Sequence, residues 1–587
     1  MFYRIFFLIS CILSLTILQC YTQTITNKQV YKAYTKLWGY VSFFHPSDEV
    51  VALQGQKMAY YHCLKLENIK TTNELKDSLT KFFLPIAPSI QFYLKGEKSQ
   101  NLATYNNKDS LQLVFWQHRG LGLWNFYKKQ DVYKSIRINN WQDTIFGNYP
   151  KYGEVIEQEI APNLFCKLPI ALYRDKTSTL PRSTHQFTIL LKELANLSID
   201  TLSANNITMR RANVVIFWNI INYFYPYFKE AGLNWETQLD ILLEDVENPH
   251  DAISFWMLLL QSINKLQDAH TFVEPPQNVD FFLTFPFKAK WVGRKYIITQ
   301  SEDTTYQRGD EIISIANKPI KDFIQESSKK WRGSSYLKNA ISGDYFLGWG
   351  KPDTKEKIII RRYINGKVQK METHVVRNTA FSYNLQTRKP SREIEDGIFY
   401  LNFTKDSLEY LKTFVSKLQK AKGVIIEMRG YPRKNNIEFL GYLSPKNLQT
   451  ALWNIPQIIA PNQKVLTYDT AGRWNIIPKQ EQITCKKIFL TNANAQSQAE
   501  TFMGIVEYYK LGEIIGQPTA GCNGEITVYS LLGGYVFGFT GMKVLKHDGS
   551  QHHLIGIKPT VQVTYTEEDV LRGRDADLEK ALEILRK

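Results

Sequence analysis

The spacing of apolar residues changes along the chain and divides it. "LWGYVSFFHP" (37–46) and "FWNIINYFYP" (217–226) both show helical apolar spacing ended by a proline. They align without gaps at an offset of 180, Trp38 on Trp218, Phe44 on Phe224 and Pro46 on Pro226. That period is far too long for a solenoid and fits an old duplication or two similar packing helices. Residues 209–268 continue as helix through "ANVVIFWNIINYF", "WETQLDILLEDV" and "AISFWMLLLQSINKL". The proline pair in "QDAHTFVEPP" then stops regular structure. Between the two copies, "SIQFYL", "LQLVFWQH" and "KLPIALYRD" read as strands and predict a β-rich insert at about 90–190.

Residues 283–378 switch to strands. "KYIITQ" precedes "YQRGDEIISIANKPIKDFIQ", in which a glycine turn opens a short strand, a turn follows, and a helix closes the unit. The "GDEI" pattern resembles a PDZ domain, a module that takes an extended peptide along a sheet edge. From about 390 the period alternates. "GIFYLNF", "GVIIEMRG", "KKIFLTNA" and "EIIGQPTAG" read as strands, while "DSLEYLKTFVSKLQKA" and "SQAETFMGIVEYYKLG" read as helices. That rhythm predicts an α/β core with parallel strands.

Composition adjusts this picture in four ways. At 587 residues with 44% apolar content, the chain is globular and long enough for roughly three or four domains. The apolar run from Ile5 to Leu18 follows a single early cation, Arg4, and fits the h-region of a secretory signal over residues 1–23. The sequence thus points to a secreted or cell-envelope protein. Lipidation at Cys20 is the weaker alternative, because Gln19 stands where a small residue is wanted. The remaining cysteines, Cys63, Cys166, Cys485 and Cys522, show no zinc-type spacing and read as free thiols or at most one disulfide. The net charge of +16 is spread along the chain without a dense basic block, which argues against a nucleic-acid partner. Such a surface favours association with anionic envelope surfaces.

Candidate chemistry centres on Ser497, where a strand-like run ends and a helix begins. Ser497-Gln498-Ala499-Glu500 has the form of a capping box, which asks nothing more of the serine. A strand-to-helix junction also supplies outward-facing amides, such as that of Gln498, suited to holding an oxyanion. A second junction, "EMRGYP" (427–432), offers Gly430, whose missing side chain lets a carbonyl approach the backbone. His547, His552 and His553 lie on a predicted hairpin and lack the helical i, i+4 pair of common zinc enzymes, so no metal and no cofactor is expected. His45 reads as a structural helix-end histidine.

"GVIIEMRGYP", "LTNANAQSQAETF", "IGQPTAG" and "DGSQHHLIGIKPTVQV" resemble, in that order, the motifs of the S41 peptidases, the tail-specific or C-terminal-processing proteases and their tricorn-like relatives. The resemblance covers roughly 390–587. It implies a ClpP/crotonase-like core, Ser497 as nucleophile, and the amides of Gly430 and Gln498 near the oxyanion hole. One branch of the family uses a lysine about two dozen residues after the serine; here that loop reads "TAGCNG", and Lys510 and Lys543 fall outside it. The tricorn-like branch uses a histidine before the PDZ-like part, and "LQDAHTFV" offers His270 in that place. An imidazole suits a general base at neutral pH. The acid expected near the "G-I-x-P" motif is missing from "HHLIGIKP", which leaves Asp268, Glu525 and Asp548 as candidate orienting acids.

The sequence therefore predicts a multidomain α+β and α/β chain. A helical region over 24–282 carries the β-rich insert, a PDZ-like domain spans 283–378, and an S41-like peptidase domain spans 390–587. The expected activity is a serine endopeptidase acting on a peptide or protein substrate. The competing expectation is a peptide-binding scaffold with a degenerate core.

Overall fold

The structure is a computed structural model that describes residues 23–106, 110–122, 132–277, 284–329, 331–334, 337–338, 354–364, 367–377, 389–463, 466–470 and 472–587. Residues 1–22 of the expected signal segment, with Cys20, lie outside the described residues. No described helix is long and apolar enough to cross a membrane.

The two similar segments become matched helices, Asn27–Phe44 and Ile207–Phe224, of 18 residues each. Thr26 and Asn206 cap them at equivalent positions, each accepting a helix amide on its side chain. Both stop at a residue in extended conformation, His45 and Tyr225, because a following proline excludes the α region. They pack together, and the Asn219 amide donates to the Thr35 carbonyl at 2.7 Å. His45 is fully buried, with its ring nitrogens on the Ser47 and Ser89 hydroxyls, and burial pushes its imidazole down to about 3. It is a neutral structural residue.

The strands of the insert divide between two sheets. Gln91–Leu94, Leu164–Pro169 and Val155–Ala161 form a small antiparallel sheet. Gln112–Arg119 instead pairs with Trp453–Ile458, which in turn pairs with Lys543–Val544. "KLPIALYRD", a single strand by its pattern, breaks at Ile170 and feeds both sheets. Part of the insert is thereby continuous with the C-terminal region.

The PDZ segment forms an antiparallel sheet in which Glu311–Ile315 lies between Lys295–Ser301 and Lys355–Ile364. Tyr296, Ile298, Ile312, Ile315 and Ile358 fill its core, with Ile324 from the helix Ile320–Ser328. Its outer face meets the C-terminal segment through a Lys295–Glu567 ion pair at 2.8 Å and through Lys290 over the Tyr565 ring.

The C-terminal core is a six-stranded sheet in the order Arg392–Glu395, Ile398–Asn402, Gly423–Glu427, Lys486–Thr491, Glu513–Gly516, Val561–Gln562. Only the first pairing is antiparallel. Both faces are covered, as parallel strands require. Val424, Ile426 and Phe489 face the helix Gln498–Tyr509, while Ile425, Ile488 and Leu490 face the C-terminal helix Ala576–Arg586. The predicted helix over "DSLEYLKTFVSKLQKA" is broken into Leu408–Lys412 and Val415–Leu418. A last sheet ties the halves together: Phe272–Glu274 pairs with Val536–Thr540. Phe272 lies so close that a Cβ on Gly538 would sit 2.5 Å from its ring.

Candidate active site

Ser497 ends the turn between the buried strand Lys486–Thr491 and the helix Gln498–Tyr509. Its backbone has φ 54° and ψ −115°, a region that costs a non-glycine residue on the order of 1–3 kcal/mol. The surroundings hold it there. The Ser497 amide donates to the Cys522 carbonyl at 2.9 Å, and the amide of Ala520 donates to the Ala495 carbonyl at 3.1 Å. The serine side chain caps nothing, so the capping-box pattern is not used as one.

Glu500 explains why. It is almost fully buried and turned away from the helix start. Its carboxylate accepts from the Thr519 hydroxyl at 2.6 Å, the Gly521 amide at 2.7 Å and the Cys522 amide at 2.6 Å. His552 lies 3.2 Å away on the other side. Glu500 thus shapes the "TAGCNG" loop that supports Ser497. Gly521 holds φ 74° in that loop, and a Cβ there would meet the backbone of Leu554 and Ile555 at 2.8 Å.

The hydroxyl of Ser497 opens onto a cavity of about 380 Å³. Gln498, Asn523 and Glu525 supply polar walls, and Trp453, Trp474 and Met542 supply apolar ones. Gly430 is buried at the end of the neighbouring strand, and its successor Tyr431 places its side chain beside Ser497. Arg429, just before it, is buried and paired with Glu427 at 2.7 Å, Asp575 at 2.6 Å and Asp577 at 2.8 Å. The turn bearing Gly430 is therefore fastened to the C-terminal helix.

His270 sits just ahead of the strand Phe272–Glu274. Its Nδ1 bonds the Thr540 hydroxyl at 3.0 Å, and its amide donates to the Asp268 carboxylate at 2.9 Å. Asp268 is fully buried and also accepts from the Thr540 amide at 3.0 Å and the Cys522 thiol at 3.3 Å. Burial pushes the His270 imidazole below its ordinary value; the carboxylates of Asp268 and Glu500 oppose that, and Arg332 adds to it. Burial alone would raise the Asp268 carboxyl, but His553, His270 and the Thr540 hydrogen bond hold it below the usual range.

The predicted residues thus separate into groups. Ser497, Gln498 and Glu525 share the cavity, and Gly430 borders it through Tyr431. His270 and Asp268 meet behind Cys522, whose carbonyl holds Ser497 and whose thiol holds Asp268. Among the described residues no hydrogen bond joins the Ser497 and His270 side chains. Asp548 stands apart on an exposed turn, its carboxylate on the amide and hydroxyl of Ser550 at 2.9 and 2.7 Å, and is not an orienting acid for His270 in this structure. His547 stacks on Tyr508, whereas His553 stacks on Tyr227, so the three C-terminal histidines do not gather into one site. The expected hairpin beneath them is present, with Leu545 bridged to Gln551. Cys63, Cys166, Cys485 and Cys522 are free. No sequence signal pointed to Thr540, which lies 270 residues from the imidazole it contacts.

The S41 match over residues 398–563 supports a serine-type peptidase, and a strained serine at a helix start on a mostly parallel sheet fits that class. The PDZ assignment rests on a family-model match over residues 282–345. The model of peptidase family S41 matches residues 398–563, so the C-terminal core is an S41 peptidase domain. Among solved structures, mature CPAF is similar in fold, with a TM-score of 0.52 at 12% identity over 65% of this chain and 96% of that one. Mature CPAF complexed with lactacystin gives 0.52 at 12% identity over 65% and 98%. No curated protein matches the chain in sequence.

Proposed function

We propose that the chain is a secreted or envelope-facing serine endopeptidase that cleaves peptide bonds through an acyl-enzyme on Ser497. The observation that carries this reading is the backbone of Ser497, held at φ 54° with its side chain free of capping duty and open to a cavity. Strain of this kind collects at functional sites. In the proposed reaction, Ser497 Oγ attacks the scissile carbonyl while His270 takes its proton. The amides of Gly430 and Gln498 hold the developing oxyanion. His270 then gives the proton to the leaving amine, and water releases the acyl group by the reverse steps. Asp268 and Thr540 keep the ring in place. The PDZ domain would present an extended peptide. The localisation rests on the apolar run Ile5–Leu18.

The missing Ser497–His270 hydrogen bond supports a second reading, a peptide-binding scaffold that has lost catalysis. Catalytic hydrogen bonds in free enzymes are often long and tighten only with substrate, which favours the first. The test is labelling with a fluorophosphonate probe alongside cleavage of a denatured protein. Labelling and cleavage that vanish in Ser497→Ala and fall at least 10²-fold in His270→Ala support the peptidase. An inert parent that still binds peptide tails supports the scaffold.

A further inference from the structure

Behind the nucleophile, Asp268, His270 and Cys522 each present one ligand-type atom, and these atoms lie within 4.8 Å of one another. The cluster is held from several sides. Asp268 and Cys522 are buried. Glu500 fixes the Cys522 amide, Thr540 fixes both His270 and Asp268, and the Ser497 amide fixes the Cys522 carbonyl. Such support keeps donor atoms in place without a ligand.

The spacing suits a small cation. Cys522 Sγ stands 3.3 Å from Asp268 Oδ1. In a tetrahedral zinc site, with Zn–S about 2.3 Å and Zn–O about 2.0 Å, the sulfur-to-oxygen edge is about 3.5 Å. A cation therefore fits where the thiol proton now lies. A thiolate, an imidazole and a carboxylate together select zinc or a similar borderline ion over magnesium or calcium. Two anionic donors balance a dication, and Glu500 adds negative charge nearby.

We propose that Asp268, His270 and Cys522 form a zinc-binding site with an open fourth position, whose occupation takes His270 out of the reaction. The second clause rests on His270 being the base; the binding itself does not. On uptake the Cys522 thiol releases its proton to solvent as the sulfur–zinc bond forms, and one ring nitrogen of His270 donates its lone pair. An imidazole metallated on one nitrogen carries its proton on the other, so neither can accept the proton of Ser497. The fourth position is left to water.

The experiment uses the full chain carrying Ser497→Ala, so that binding is read without proteolysis. Cobalt(II) is added as an optical probe and then displaced by zinc. One ion per chain and a near-ultraviolet thiolate-to-cobalt band support the site, provided that Cys522→Ala abolishes the band and Asp268→Asn weakens binding at least tenfold. Circular dichroism and thermal melting confirm that both variants are folded. Failure to bind either ion at micromolar concentration overturns the proposal, as does a band that survives Cys522→Ala. In the unmutated chain, zinc should abolish cleavage at the concentration that saturates the site; cleavage persisting at saturation overturns the inhibitory clause. A parent that binds zinc but never cleaves defeats the peptidase reading and leaves the site standing.

Discussion

The amide of Ser497 donates to the carbonyl of Cys522 at 2.9 Å, and the thiol of that same cysteine reaches Asp268, the residue that receives the His270 amide. One loop residue thereby links the serine to the histidine, although some 230 positions separate them. The loop is held from below by the Glu500 carboxylate. Glu500→Ala leaves the buried amides of Gly521 and Cys522 without their acceptor, at a cost of about 1–3 kcal/mol for each unsatisfied group. Urea unfolding should show this loss, and kcat/KM should fall at least tenfold because Ser497 loses its support.

Under the proposed mechanism the acid side of the pH profile reports His270. A general base must be neutral, and burial holds this imidazole below its ordinary value of 6.5. The rate should therefore stay full as pH falls to 6.5 and drop only as pH passes through the lower folded value. Asp268 raises this value and Arg332 lowers it. Asp268→Asn should move the acid limb further down, and Arg332→Gln should move it up. Profiles of kcat/KM for the three proteins check both signs.

Thr540 contacts the imidazole from the strand Val536–Thr540. Thr540→Val removes the hydroxyl bonded to His270 Nδ1 while nearly preserving volume. We expect kcat to fall about 10-fold to 100-fold with KM little changed, since geometry rather than binding is lost. Thr540→Ser, which keeps the hydroxyl, should recover most of the rate in the same assay.

Arg429 fastens the Gly430 turn to the C-terminal helix. Arg429→Met leaves the fully buried Glu427 carboxylate without its charge partner, and breaking a buried pair costs about 3–5 kcal/mol. Chemical denaturation should register that loss. The exposed pair Lys422–Asp396 on the same domain provides the contrast, because removing it should leave stability nearly unchanged.

The cavity beside Ser497 has aromatic walls, with the Trp453 and Trp474 rings edge-to-face at 4.8 Å. A large apolar side chain next to the scissile bond should be preferred. Trp474→Ala should reduce kcat/KM for such peptides by about 10-fold to 100-fold and affect small-residue peptides less. Cleavage of a peptide series varied at that single position measures the ratio.

Local pattern carried much of this architecture. The paired helices ended by Pro46 and Pro226, the parallel strands Gly423–Glu427 and Lys486–Thr491, and the serine junction at 497 could all be read from periodicity and turn residues. These features depend on neighbours within one turn of helix or one strand. The single strand read into "KLPIALYRD" failed because the choice of sheet is set by distant partners, Gln91–Leu94 in one case and Gln112–Arg119 in the other. Glu500 was legible only as a capping residue, since its real partners lie some twenty residues on.

The sequence by itself determined which residue types were available for chemistry: a serine before a helix, a histidine after one, and a cysteine where a relative's lysine would stand. The tertiary structure alone decided that Thr540 and Cys522 join Asp268 and His270, and that Asp548 stands apart. The physical reason is distance along the chain. Pairing Phe272–Glu274 with Val536–Thr540 brings the imidazole to the loop, and no local propensity encodes a contact made across some 270 residues.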